Sequence, residues 1–269
     1  MNAIWCQAEM NYVSGIEPQP VNVTIKNGRA QSPGPWEDCG FELKQHHSAV
    51  TNWADDAEIE RVHYPEIAEL ARQLTGSDHA LVGGHIKRNP EKAREHSDLA
   101  PITFVHSDFA ESYGDLIRQR YRDPTEQAQN GLARAGLTPA DIDRAKRMVI
   151  IQFWRNLGPE KMDMPIAFCD ARTVGPDEVL RFPVTDYAGG GFNFDTLGIS
   201  APADPATHQW YSYPALNRDE VVVFRTYDSD MVAGNGRFWT PHSAFRDPEV
   251  PVGQPSRYSI ELRATCLFF

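Results

Sequence analysis

Cysteine is scarce and scattered in this chain. Cys6, Cys39, Cys169 and Cys266 are the only four, and none form a Cys-x-x-Cys pair, which argues against a zinc ribbon and against a disulfide framework. Reduced, mostly buried thiols in a cytoplasmic protein are the simpler reading. Basic residues are also in deficit, 26 against 37 acidic ones. A net charge of -11 with no basic stripe repels phosphate backbones and anionic bilayers, so neither nucleic acid nor a membrane surface is expected as a partner. No apolar run approaches the roughly 20 residues of a membrane span. Met1 to Tyr12 contains Glu9 and lacks a basic segment followed by a long apolar run, so no secretory signal is readable there. A small molecule remains as the expected partner of a monomer or homodimer.

A length of 269 residues allows a sizeable core and fits a single domain, 1–269. Residues 1–60 are rich in Pro, Gly, Asn and Gln, and read as an irregular N-terminal extension packed on the main body, with one or two small strands near Val21 to Ile25. A helix is predicted from Pro65, with Ile67, Leu70, Ala71 and Leu74 at core-facing spacing and Gly76 as its end. His79 to Ile86 reads as a strand, 91–99 as a solvated connection, and Ile102 to His106 as a further strand. Helices follow over 110–122 and 124–135, and Thr138-Pro139-Ala140-Asp141 opens another. After that, strand signals dominate: 148–154, 165–169, 179–182, 209–213, 221–227 and 257–269. Helices cluster early and strands late. The order predicts a mainly β fold with helices (α+β), a sandwich or jelly-roll barrel with the helices packed on one outer face. The long stretch 183–208, with Gly189-Gly190-Gly191, reads as a lid over the barrel mouth.

Within that frame, Val105-His106-Ser107-Asp108 is the segment whose residue types ask for a metal. Residues two apart on a strand share a face, so His106 and Asp108 present an imidazole and a carboxylate side by side. A 2-His-1-carboxylate triad needs one more His from a distant strand. His46, His47 and His63 precede the barrel and His85 sits on another early strand, while His208 heads an aromatic run that suits a packed imidazole equally well. His242, in Pro241-His242-Ser243-Ala244-Phe245, is the preferred third ligand. In the last strand, alternation puts Arg257, Ser259, Glu261 and Arg263 on one face and Tyr258, Ile260 and Leu262 on the other. That charged face either meets water on an outer strand or turns inward, where Arg257 and Ser259 would hold a dicarboxylate.

The ordered set His-x-Asp, distant His and Arg-x-Ser resembles the Fe(II)/2-oxoglutarate-dependent dioxygenases of the double-stranded β-helix (cupin-like) fold. More narrowly it resembles the hydroxylase/desaturase family that includes gibberellin desaturase-like proteins and the accessory chain of cephamycin methoxylation. Phe153-Trp154-Arg155, Ile166 to Arg172, Asp219-Glu220-Val221 and Tyr227-Asp228-Ser229 extend the likeness in family order. The resemblance implies a dioxygenase using Fe(II), 2-oxoglutarate and O2 to hydroxylate or desaturate a small molecule, in specialised metabolism. It implies His106, Asp108 and His242 as metal ligands and Arg257 with Ser259 as the 2-oxoglutarate clamp. Gln152-Phe153-Trp154-Arg155-Asn156 stands where the family has Asn-x-Trp-Arg-Pro, and Gly83-Gly84-His85 where it tends to have Asp-His-Thr. Gln152, Trp154 and Arg155 are accordingly candidate substrate contacts, Arg155 alternatively a cosubstrate contact or a structural ion pair. Two rivals stay open: a cupin-type enzyme that does not use 2-oxoglutarate, and a non-enzymatic accessory protein on a dioxygenase scaffold. A zinc hydrolase would leave the Arg-x-Ser pair without a purpose.

Overall fold

Two-residue alternation, more than helix periodicity, shapes this chain. The computed structural model describes residues 2–15, 17–122, 124–251 and 256–269. Its strands run β1 (Ile4–Ser14), β2 (Glu17–Asn27), β3 (Phe41–Gln45), β4 (His79–Arg88), β5 (His106–Ser107), β6 (Arg147–Asn156) and β7 (Ile166–Cys169). They continue as β8 (Val179–Val184), β9 (Phe194–Ile199), β10 (Trp210–Ser212), β11 (Glu220–Asp228), β12 (His242–Ala244) and β13 (Ser259–Phe268). Eight form a curled sheet in the order β1-β2-β10-β7-β12-β5-β9-β8, and five form its partner in the order β3-β11-β6-β13-β4. The result is a mostly β jelly-roll with helices, as the late strand series predicts.

The central strand β6 shows why the layers close. Its Val149, Ile151 and Phe153 face outward and pack with Ile67 and Ala71 of the Tyr64–Thr75 helix. That helix has Pro65 in its first turn and ends at Gly76, whose φ of 69° is open to glycine at little cost. The next residues inward, Gln152 and Trp154, point between the sheets, where Trp154 joins Phe168 and Phe224. At one end, Met148 and Ile150 meet Ile117, Leu132 and Ile142 from helices Tyr113–Arg122, Glu126–Ala135 and Pro139–Arg144. Thr138 starts the last of these, its backbone N–H donating to Asp141 at 2.7 Å. Among the described residues, no helix is long and apolar enough to cross a membrane.

Two stretches depart from the sequence expectation. Residues 1–60 are not an irregular extension: β1 and β2 form an antiparallel hairpin of two 11-residue strands that belongs to the eight-stranded sheet, and β3 belongs to the other. Cys6, Ala8, Met10 and Tyr12 alternate inward along β1, but Pro18 and Pro20 hide the pattern in β2. They are tolerated because β10 pairs only with Ile25 to Asn27, so the proline part of that edge needs no donor. The expected lid also contains a strand. β9 pairs with β8 and with β5, where Gly198 lies opposite His106. Residues 91–99 likewise hold a short helix, Pro90–Glu95, whose start is capped by Asn89.

His208 lies in a buried chain of hydrogen bonds. Trp210 Nε1 donates to Tyr12 Oη at 2.9 Å, and the Tyr12 hydroxyl shares a hydrogen bond with His208 Nδ1 at 3.0 Å. The ring's Nε2–H then donates to Glu178 at 3.0 Å. In Tyr12→Phe, Trp210 and His208 each lose a buried partner, an expected cost of about 1–3 kcal/mol. A lowered urea midpoint with an unchanged denaturant slope checks this.

Candidate metal centre

The two histidines are set side by side by backbone pairing. β12 runs antiparallel to β5 with His242 in register with His106, and the ring centroids stand 4.3 Å apart. Each imidazole is oriented by main chain: His106 Nδ1 donates to the Phe104 carbonyl at 2.9 Å and His242 Nδ1 to the Thr240 carbonyl at 3.0 Å. A carbonyl only accepts, so the proton sits on Nδ1 and both Nε2 lone pairs are free. Asp108, just beyond β5, brings Oδ1 to 3.4 Å from each of those Nε2 atoms. All three side chains are buried, and their ligand atoms lie within 4.8 Å of one another.

The other carboxylate oxygen is held from the opposite sheet. Gln152 Nε2, on β6, and Arg263 Nη2, on β13 at 3.0 Å, both donate to Asp108 Oδ2. Burial alone would raise the Asp108 pKa, but the Arg263 guanidinium holds it well below the carboxylate range. Burial, and then the neighbouring His242, lower that of His106. A carboxylate and two imidazole nitrogens aimed at one point are the donor set that a divalent iron takes, and the residues present fit that ion.

Arg257 sits close by, two residues before β13. It is buried, and its Nε donates to Ser259 Oγ at 3.1 Å while its guanidinium lies 5.0 Å from the Trp154 ring. Among the described residues no carboxylate reaches it within ion-pair distance, and burial, with Arg88 nearby, lowers its pKa to about 9. A buried guanidinium without a counter-charge is costly, which makes this spot a receptor for an anion. Arg257 and the His-Asp-His cluster line one small cavity of about 20 Å³ together with Arg88 and Glu261. A second cavity of about 360 Å³ opens onto His106 and Asp108 from the other side, walled by Phe104, Phe109, Tyr113, Tyr187, Phe192 and Phe194.

Over residues 3–267 the chain matches the family described as Oxidoreductase/YMDC permease-like domain. It is 28% identical over 248 residues to the hydroxylase/desaturase CTB9 of Cercospora beticola, covering 86% of this chain and 70% of that one. It is 30% identical over 252 residues to the hydroxylase/desaturase efuI of Hormonema carpetanum, covering 86% and 77%. The Fe(II)/2-oxoglutarate-dependent dioxygenase nvfI of Aspergillus novofumigatus is 25% identical over 305 residues, 98% of this chain and 97% of its own. The solved iron and alpha-ketoglutarate-dependent endoperoxidase NvfI shares the fold, with a TM-score of 0.77 at 22% identity over 99% of both chains.

The three residues expected at the substrate are placed differently. Gln152 reaches Asp108, and Trp154 packs beside Arg257, away from the large cavity. Arg155 is on the opposite face of β6, where strand alternation must send it. There it donates to the His46 and Arg218 carbonyls and to His46 Nδ1 at 2.6 Å, and stacks on Trp53. Arg263, the aromatic walls and Arg88 were not singled out, though Arg263 shares the inward face already read for Arg257 and Ser259. The Arg155 contact requires a neutral His46, and burial followed by that guanidinium lowers its pKa from 6.5 to about 4. Between those two values the unfolded chain binds a proton that the folded chain refuses, so stability falls as pH falls through the window. In His46→Gln, whose amide oxygen still accepts from Arg155, unfolding free energy plotted against pH is expected to have a shallower slope there.

Proposed function

The chain belongs to the oxidoreductase/YMDC permease-like domain family, and on that premise we propose that it is a mononuclear Fe(II)- and 2-oxoglutarate-dependent oxygenase that hydroxylates or desaturates a small molecule in specialised metabolism. The observation that carries the reading is the convergence of His106 Nε2, His242 Nε2 and Asp108 Oδ1 beside the unpaired guanidinium of Arg257. Relatives named as hydroxylase/desaturases and as an Fe(II)/2-oxoglutarate-dependent dioxygenase support it. Four free, buried cysteines suit a cytoplasmic setting.

In this reading His106, His242 and Asp108 hold the iron. Bound iron, with 2-oxoglutarate and O2, supplies the oxidising power that takes a hydrogen from the substrate as the keto acid becomes succinate and carbon dioxide. The Phe104 and Thr240 carbonyls keep the two imidazoles in the ligating tautomer. Gln152 and Arg263 occupy Asp108 Oδ2, which leaves Oδ1 as the oxygen beside the two Nε2 atoms that would hold the metal. Arg257 and Ser259 take the far carboxylate of 2-oxoglutarate, replacing the missing counter-charge. The small cavity has room for about one water, so taking up the keto acid requires it to widen beside Arg257. The aromatic cavity receives the substrate and keeps water from the reacting carbon.

Anaerobic titration is expected to give one Fe(II) per chain and none in His106→Ala. Arg257→Ala should keep the metal and raise the KM for 2-oxoglutarate about ten- to hundredfold, the loss of hydrogen bonds to a charged group. Iron binding without succinate formation would instead indicate a cupin-type enzyme that does not use 2-oxoglutarate. A chain that binds no iron would be an accessory protein.

A further inference from the structure

The walls of the large cavity carry information about what enters it. Four charged side chains face that space, Arg88, Asp98, Asp108 and Arg263, and each is already engaged. Arg88 donates to the Asp98 and Ala100 carbonyls, to Tyr187 Oη at 3.0 Å and to Glu261 at 3.1 Å. Asp98 accepts from the Ala188 N–H at 2.8 Å and lies 3.6 Å from His96 Nδ1. Arg263 reaches Asp108 at 3.0 Å and Glu261 at 3.6 Å. The buried network thus balances two guanidinium groups, Arg88 and Arg263, against two carboxylates, Asp108 and Glu261. An anionic substrate would find aromatic rings and cations that each already face a carboxylate, Arg88 with Glu261 and Arg263 with Asp108, and stripping its hydration there is unfavourable.

Of the buried side-chain polar atoms without a partner among the described residues, one belongs to this wall. Only Nη2 of Arg263 is hydrogen-bonded among the described residues, and its buried Nε has no partner. The side chain is nevertheless 27% exposed, on a cavity wall, with its guanidinium 5.3 Å from the Phe109 ring. Its charge is matched while its donors are not. That combination favours a neutral oxygen acceptor over a carboxylate.

Resting on the oxygenase reading, we infer that the substrate is a mostly apolar molecule without an anionic group, flat enough to lie among the aromatic walls, carrying a carbonyl or hydroxyl oxygen that accepts a hydrogen bond from Arg263. Arg263 then contacts the substrate with one arm and Asp108 with the other, and so fixes which carbon lies nearest the iron site. The cavity volume of about 360 Å³ suits a compact two- to four-ring body.

The test compares three probes of one shape, fluorene, 9-fluorenone and 9-fluorenecarboxylate, by ligand-observed NMR on the full chain without metal or 2-oxoglutarate. The ketone should bind about tenfold tighter than the hydrocarbon, one hydrogen bond to a charged donor, and at least as far ahead of the carboxylate. In Arg263→Met the ketone should fall to the level of the hydrocarbon, while Arg263→Lys keeps part of the difference. A carboxylate that binds as tightly as the ketone overturns the inference in the wild-type chain alone, whether or not the variants fold. A ketone preference that survives in folded Arg263→Met overturns the role of Arg263. The ranking needs no turnover, so failure to form succinate would sink the oxygenase reading and leave the ranking standing.

Discussion

The carboxylate of Asp108 is the joint on which this molecule turns. Its Oδ1 faces two imidazoles carried by the eight-stranded sheet, and its Oδ2 is held by Gln152 and Arg263 from the five-stranded sheet. One side chain therefore bridges the two layers of the barrel at the point where they must stay in register. The carboxylate keeps its charge in a buried place because Gln152 and Arg263 compensate the lost water. Neither the ligand geometry nor the floor of the aromatic cavity would survive a slip of one sheet over the other. Packing of Trp154, Phe168 and Phe224 between the layers resists that slip.

Much of the centre is legible in the residues because its logic is local and periodic. His106 and Asp108 share a face by strand alternation, and the same rule turns Arg257, Ser259, Glu261 and Arg263 inward as a set. The choice between water and interior for that face could not come from alternation alone. It is decided by Tyr258, Ile260 and Leu262, which have the Tyr64–Thr75 helix layer to pack against. His242 was chosen by its position relative to the last strands, and its register with His106 is a pairing across more than a hundred residues that no local pattern encodes.

The misreadings have equally physical causes. Prolines usually end strands, so β2 looked irregular, yet its proline part lies where β10 does not reach and no hydrogen bond is lost. β9 is short and interrupted by Asp195, Thr196 and Gly198, so only its pairing with β5 and β8 reveals it. Arg155 groups with Gln152 and Trp154 in the sequence because the three adjoin. On a strand that adjacency guarantees that Arg155 faces away from both. The aromatic cavity walls come from separate segments around Phe104 to Tyr113 and Tyr187 to Phe194, and their meeting is a matter of tertiary structure.

The imidazoles are steered by the carbonyls of Phe104 and Thr240, each two residues before the histidine it orients. The metal-facing nitrogens are thus set by backbone, which does not change when side chains do. Phe104, for example, can be exchanged for another residue without removing the carbonyl that orients His106. Specificity and reactivity are in this sense separable modules: the walls are free to diversify toward new molecules while the ligating tautomer is inherited intact.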